Sequence, residues 1–251
     1  MTPSPTQSQI MQQLRSFLLA VLPATGSDGL PISVIAGQQN RIPEPSGGDF
    51  IIFTPIRRRR LATNLDQLED VQFTASINGS TMTVSAVEIG ELTPGATVYG
   101  ANVTANTVIV SQISGTPGGA GTYQVAPSQS AVSEVMGAGA QNYTQSTEIV
   151  FQLDVHSANV LDSADMAQTI STLFRDDFAV QQFAGQAPNY GVVPLYADDP
   201  VQRPFWNDQS QMETRWVIEA LVQVNQIVSA PQQAADAIDL GVVSVEEAFP
   251  A

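Results

Sequence analysis

A long stretch with almost no charge divides this chain. Residues 71–140 carry three charged side chains, Glu88, Glu91 and Glu134, and ten of the eighteen glycines. The rest of the chain holds the other thirty charges. Within the stretch the pattern is β throughout, with strands expected at 81–87, 107–110 and 122–125. Asn78-Gly79 reads as a hairpin turn, and Gly95, Gly100 and the glycine cluster at 115–121 as further turns. Short strands between glycine turns predict a small all-β module. Helix and strand patterns resume on both sides, so the module is expected as an insertion with its ends close together, at the tip of a hairpin. The organisation read from the sequence is a discontinuous α+β domain over 1–70 and 141–251, interrupted by a surface-exposed all-β module at 71–140.

The flanks supply the frame. Ile10, Leu14, Phe17, Leu18 and Val21 fall on one stripe at helical spacing, with Ser8 as N-cap. Leu22-Pro23-Ala24-Thr25-Gly26 spells a sortase-type anchoring signal, but no apolar tail and basic residues follow it. Pro23 and Gly26 read instead as helix breakers. Strands are expected at 32–36 and 50–53, joined by a polar, proline-punctuated turn over 38–45. In residues 148–156, Ile149, Phe151, Leu153 and Val155 share one face and mainly polar residues the other. A helix follows, capped by Asp162 or Ser163, with Met166, Ile170, Leu173 and Phe174 buried. A loop is expected over 187–207, then a long strand from about 212 to 228 and an apolar stretch at 238–245. The frame predicts an α+β fold with helices flanking a mostly antiparallel sheet.

Composition narrows the chemistry. The chain has no cysteine, no lysine and one histidine, with nine arginines against 24 acids for a net charge of −15. A disulfide framework, a thiolate nucleophile and a Cys-containing zinc site are excluded, as is a metal centre built on two imidazoles. A chain this acidic is poorly suited to gripping nucleic acid over a broad surface. No run is long and apolar enough to span a bilayer or to form a signal-peptide core, so neither membrane nor secretion is expected. The run at 115–122 superficially resembles a phosphate-cradling loop, yet a strand-like segment follows it and no lysine is present; a turn is the expectation. His156 with Asp154 on the same strand face could form a base and its orienter, but no Gly-x-Ser-x-Gly elbow accompanies them, and a surface or interface histidine is the simpler reading. The doublets Asp176-Asp177, Asp198-Asp199 and Glu246-Glu247 lack calcium-loop spacing and read as solvated or subunit-facing carboxylates. Asn78, Asn102 and Asn142 match the glycosylation acceptor pattern by chance. No catalytic residue, metal ligand or cofactor is assigned.

Two groups remain. Arg57, Arg58, Arg59 and Arg60 place four of the nine cations together after a predicted strand. If the strand persists, alternate guanidiniums face opposite sides. They are a solvated basic turn, a phosphate contact, or ion pairs to carboxylates of a neighbouring copy. The abundance of acid favours pairing over phosphate. Phe205, Trp206, Arg215 and Trp216 form an aromatic-rich stretch that is either core or interface anchor.

Several short motifs carry a resemblance. Gln39-Asn40-Arg41-x-Pro43-x-Pro45, Phe50-Ile51, Arg60-Leu61-Ala62-Thr63-Asn64 and Phe151-Gln152-Leu153-Asp154-Val155 occur in order. Pro194-Leu195-Tyr196-Ala197, Pro204-Phe205-x-Asn207 and Arg215-Trp216 follow. Over residues 8–70 and 141–247 the chain resembles the neck or tail-terminator proteins of tailed bacteriophages. The inserted segment is similar to a Gly/Thr-rich β module of phage virion proteins, marked by Gly90-x-Leu92-x-x-Gly95, Gly100, the Gly115 to Gly121 run and Gly121-Thr122-Tyr123. The resemblance implies a structural, non-enzymatic virion protein without a cofactor, assembled in the host cytoplasm. It implies a homo-oligomeric ring, a hexamer, that caps the tail, contacts head-side connector proteins and tail proteins, and leaves a lumen through which DNA passes without specific binding. Asn40, Arg41, Arg57 to Arg60, Phe205, Trp206, Asn207, Arg215 and Trp216 are then the candidate interface residues. The alternative is a virion surface or adhesion protein whose inserted module binds host glycans.

Overall fold

Thr6 starts the first helix. Its hydroxyl accepts from the Gln9 amide at 3.3 Å, and the Gln9 side chain accepts from the Thr6 amide at 2.8 Å, a reciprocal capping box. The cap is therefore Thr6 rather than Ser8, because Gln9 at the third helical position can answer it. The computed structural model describes residues 2–26, 29–37, 48–157, 159–206 and 212–231. Its elements begin with α1 (Gln7–Val21), β1 (Ser33–Ala36), β2 (Phe50–Arg60), β3 (Leu65–Glu69), β4 (Gln72–Ile89), β5 (Thr97–Tyr99) and β6 (Thr107–Gly115). They continue with β7 (Gly121–His156), α2 (Val160–Phe174), α3 (Asp177–Ala184), β8 (Val193–Ala197), β9 (Val201–Gln202), β10 (Phe205–Trp206), β11 (Met212–Glu213) and β12 (Arg215–Pro231). The described residues form two compact units, one from within 2–65 and 143–228, the other from within 66–142 and 229–231.

In the first unit the sheet order is β1-β2-β7-β12-β8, with β9 also on β12. β1 runs parallel to β2, whereas β2 with β7 and β12 with β8 are antiparallel, so the sheet is mixed. Strand β2 outlasts the expected 50–53. It passes Pro55, which has no N–H for the ladder, by a register shift between Pro55 and Arg57, and then carries all four arginines. The helix-side face contributes Ile51, Phe53, Ile149, Phe151, Leu153, Val155, Ile218, Ala220, Val222 and Val224 to the core. Against it pack Ile10, Leu14, Phe17 and Leu18 of α1, Met166, Ala167, Ile170 and Phe174 of α2, and Ala179 and Phe183 of α3. The fold is α+β and dominated by sheet.

Three local expectations are corrected here. Helix α2 begins earlier than Asp162 or Ser163, because the Asn159 side chain accepts from the Leu161 amide at 3.1 Å and caps it. Asp176 caps α3 through the Phe178 amide at 3.0 Å; this helix was not foreseen, since eight residues give too short a stripe to read. The region 187–207 is not all loop, because β8 pairs with β12, placing Ala197 opposite Ala220.

The second unit is a closed circuit of strands. Gln72 of β4 lies opposite Gly137 of β7, and Thr81 opposite Gln124. On the other edge of β7, Ala126 meets Val108 of β6, Val108 meets Thr97 of β5, and Thr97 returns to Gly139. Pairing that returns to its starting strand makes a small barrel, which protects the strand edges taking part. Phe73, Ile77, Met82, Val98, Ile109, Tyr123, Val125 and Met136 fill its core. Asn78-Gly79 is not the expected hairpin turn. Both residues stay in β4, opposite Ser130 and Gln129, and the ladder shifts just after Gly79, whose φ is +65°. A dipeptide suited to positive φ serves here as a kink that lets one strand bend around the barrel. The glycine cluster does turn the chain between β6 and β7, and a Cβ on Gly115 would stand 2.2 Å from the Ala120 carbonyl oxygen.

Candidate subunit interface

The four arginines leave β2 in alternation. Arg58, opposite Ile149, reaches to the helix side, where it donates to Gln226 Oε1 at 2.7 Å and to Gln7 Oε1. Gln226 in turn donates to the Pro5 carbonyl at 2.7 Å, so Arg58 ties β2 to β12 and to the start of α1. Arg59, opposite Glu148, donates to its carboxylate at 2.9 Å. Two of the four cations thus have partners in their own chain. Arg57 and Arg60 are exposed and make no hydrogen bond or ion pair with a described residue.

The Arg59–Glu148 pair is asymmetric: the arginine side chain is 64% exposed and the glutamate 6%. Glu148 Oε1 is shielded from water without a hydrogen bond, so Arg59 is the main compensation for a buried carboxylate. Arg59→Ala is expected to cost about 2 kcal/mol in urea unfolding, because the charge is left behind. Adding Glu148→Gln to that variant should restore most of the loss. If the double variant is no better than the single one, this assignment fails.

Arg215 and Trp216 open β12 and separate in role. Trp216 is half-buried and packs against the core of this unit. Arg215 donates to the Arg203 carbonyl at 3.2 Å and stands 3.7 Å from Asp154 Oδ1. His156, expected as a surface or interface residue, is 5% exposed in the chain, and its ring stacks on Phe50 at 4.4 Å with 10° between planes. Burial first, and the Arg215 charge second, lower it to about 4, so the imidazole is neutral at pH 7. Burial raises the Asp154 carboxyl above its usual value, while the Gln152 amide, 2.9 Å from both oxygens, and Arg215 pull the other way. What the strand pattern suggested as a base and its orienter is a packed polar cluster on the sheet face away from the helices.

The other named residues divide as follows. Phe205 and Trp206 lie in β10, with backbones opposite Glu213 and Met212. Asn40, Arg41, Asn207 and the Glu246-Glu247 doublet lie outside the described residues. Asp176 is a helix cap, and Asp199 accepts from Arg175 at 2.7 Å. Among the described residues, no group of three His, Asp or Glu side chains is placed to hold a metal ion, and no helix is long and apolar enough to cross a membrane.

One feature escaped sequence reasoning altogether. A cleft of about 370 Å³ opens between the end of α1 and the start of α2, lined by Leu22, Ile32, Asp49, Asp162, Asp165 and Met166 among others. Asp49 stands alone just before β2, and nothing in its neighbourhood in sequence relates it to α2.

Residues 107–247 match the model of a family described as phage neck terminator protein. The match covers more than half of the chain and takes in β6, β7, α2, α3 and β12, while α1 and the arginine strand lie before it. No curated protein matches the chain.

Proposed function

Because the chain belongs to the phage neck terminator protein family, we propose that copies of it close into a ring of six at the head–tail neck, capping the tail and leaving a channel for DNA. The family is structural rather than enzymatic, and membership makes this a neck protein that meets other phage head and tail proteins. The family match is the observation that carries the reading. Charge agrees with it: six copies at −15 each carry roughly −90, and a lumen lined by surplus acid repels DNA instead of holding it. The guanidiniums at the end of β2 have exposed positions and suit an ion pair to a neighbouring molecule.

Residues 71–140 act in this reading as an inserted module on the outside of the ring. Val71 and Ala138 are joined by a backbone hydrogen bond of 2.9 Å, so the two ends of the barrel segment are adjacent and a short linker can replace it. The glycan-binding alternative finds little support in the barrel. Of its aromatic rings, Phe73 and Tyr123 are interior and Tyr99 is half-buried, so none is a fully exposed platform for a sugar.

The test is native mass measurement and electron microscopy of the purified chain, alone and with tail tubes, repeated after residues 72–139 are replaced by a short linker. Rings on the tube end, with and without the module, are expected. A chain that stays monomeric with tail tubes present sinks the ring. Phage that assemble without the module but no longer adsorb would favour the adhesion reading.

A further inference from the structure

A buried carboxylate needs a partner, and the cleft beside α2 holds one without a hydrogen bond, next to a half-buried one. Asp49 is 4% exposed, lines the cleft, and makes no side-chain hydrogen bond with a described residue. Asp162, half-buried and also lining it, has its Oδ2 atom out of solvent and without a hydrogen bond. Asp165 adds a third, exposed carboxylate at the rim. Leaving such groups unpaired is costly, so the site calls for a cation. The described acids are not grouped closely enough to share a metal ion. A guanidinium fits better, since its planar fork spreads five donors over more than one acceptor, and its aliphatic stem can lie along Leu22, Ile32 and Met166.

The same unit presents a guanidinium with no partner. Arg60 is exposed at the far end of β2, on the same strand face as Arg58 and hence on the side of the sheet that bears the helices. Asp49 directly precedes β2. Eleven residues of extended strand separate the two, roughly 35 Å, which no side chain spans. Within one copy, therefore, Arg60 cannot reach Asp49. Donor and acceptor at opposite ends of one strand suit a head-to-tail contact, which makes a ring where the rotation between copies closes.

We infer that the cleft at Asp49, Asp162 and Asp165 receives the Arg60 side chain of a neighbouring copy. The inference rests on the ring proposed above and names the pair that builds its interface. Asp49→Asn should then act with opposite signs: it removes an unpaired buried charge, raising the thermal midpoint of the isolated chain, and it weakens association. Arg60→Ala should weaken association on the order of thirtyfold. The two together should be little worse than either alone.

Because the chain has no cysteine, single thiols report the contact directly. Leu61→Cys chains are mixed with Thr169→Cys chains, both exposed positions beside the proposed pair that leave Arg60 and the three carboxylates in place, in the presence of tail tubes and treated with a short bismaleimide. A cross-linked dimer containing one chain of each kind is expected. Rings that form without that dimer, or an Asp49→Asn chain that assembles as tightly as the parent, overturn this pairing and leave the ring standing. A cross-link from Thr169→Cys to a different phage protein instead overturns the assignment to a second copy. A chain monomeric under all these conditions overturns both readings.

Discussion

Phe17→Ala is expected to destabilise the helix-bearing unit by about 3–5 kcal/mol, the range for emptying a buried aromatic site. Phe17 is fully buried, and its ring contacts Phe174 edge-on at 5.4 Å and Phe183 at 5.2 Å. Phe174 and Phe183 meet at 6.1 Å, so one ring from each of α1, α2 and α3 joins a single cluster. Removing the α1 ring opens a cavity and takes two aromatic contacts with it, each worth about 0.5–1.5 kcal/mol beyond area. Since a typical domain is stable by only about 5–15 kcal/mol, the variant should be partly unfolded near 37 °C. Leu19→Ala, on the same helix but 44% exposed, should stay within about 0.5 kcal/mol of the parent. Urea midpoints of the two variants check the contrast, and equal losses would mean the aromatic cluster does not hold the helices together.

That cluster marks the boundary of what the sequence makes legible. The stripe Ile10, Leu14, Phe17 and Leu18 is local, repeats at helical spacing, and could be read as a buried face directly. Phe183 could not, because α3 spans just over two turns and its place is set by docking against α1. The same division runs through the barrel. Its β character follows from composition, but its closure depends on Thr97 meeting both Val108 and Gly139, pairings that no local pattern encodes. Asn78-Gly79 departs from the expected hairpin turn for that reason: the dipeptide permits positive φ, and only the strand opposite decides whether it turns the chain or bends it.

The candidate interface follows the same logic. Four adjacent arginines are obvious in the sequence, and alternation along a strand correctly separates Arg58 from Arg59. Which of them is free depends on Glu148, Gln226 and Gln7, residues brought in from distant parts of the chain. Family membership was legible for a different reason. Runs such as Phe151 to Val155 and Pro194 to Ala197 are contiguous and can be read in the sequence, whatever they contact. The acidic cleft has no such run, since Asp49 and Asp162 acquire meaning only when β2 and α2 are placed side by side.

Acid is expected to weaken this unit through His156, and the sign follows from its burial. In the unfolded chain the imidazole titrates near 6.5, and in the folded chain near 4. The fold therefore holds the neutral form, and its contribution is complete above pH 6.5. As pH falls from 6.5 towards 4 the unfolded chain takes up the proton first, and on the order of 3 kcal/mol is lost across that window. Asp154 acts in the opposite sense. Its folded value lies above its unfolded one, so its protonation favours the fold as pH falls through the raised value, offsetting part of the loss at the acid end. His156→Phe keeps a ring to stack on Phe50 and cannot be protonated, so its stability should change less than the parent's between pH 7 and pH 4. Asp154→Asn removes the offset and should steepen the parent's loss. Urea midpoints at pH 7, 5.5 and 4 for the three chains separate the two groups. A parent and a His156→Phe chain with parallel pH profiles would mean that the imidazole is not held neutral by burial. The stack on Phe50 would then need to accommodate a charged ring beside Arg215, a like-charge contact that the 5% exposure of His156 leaves little water to screen.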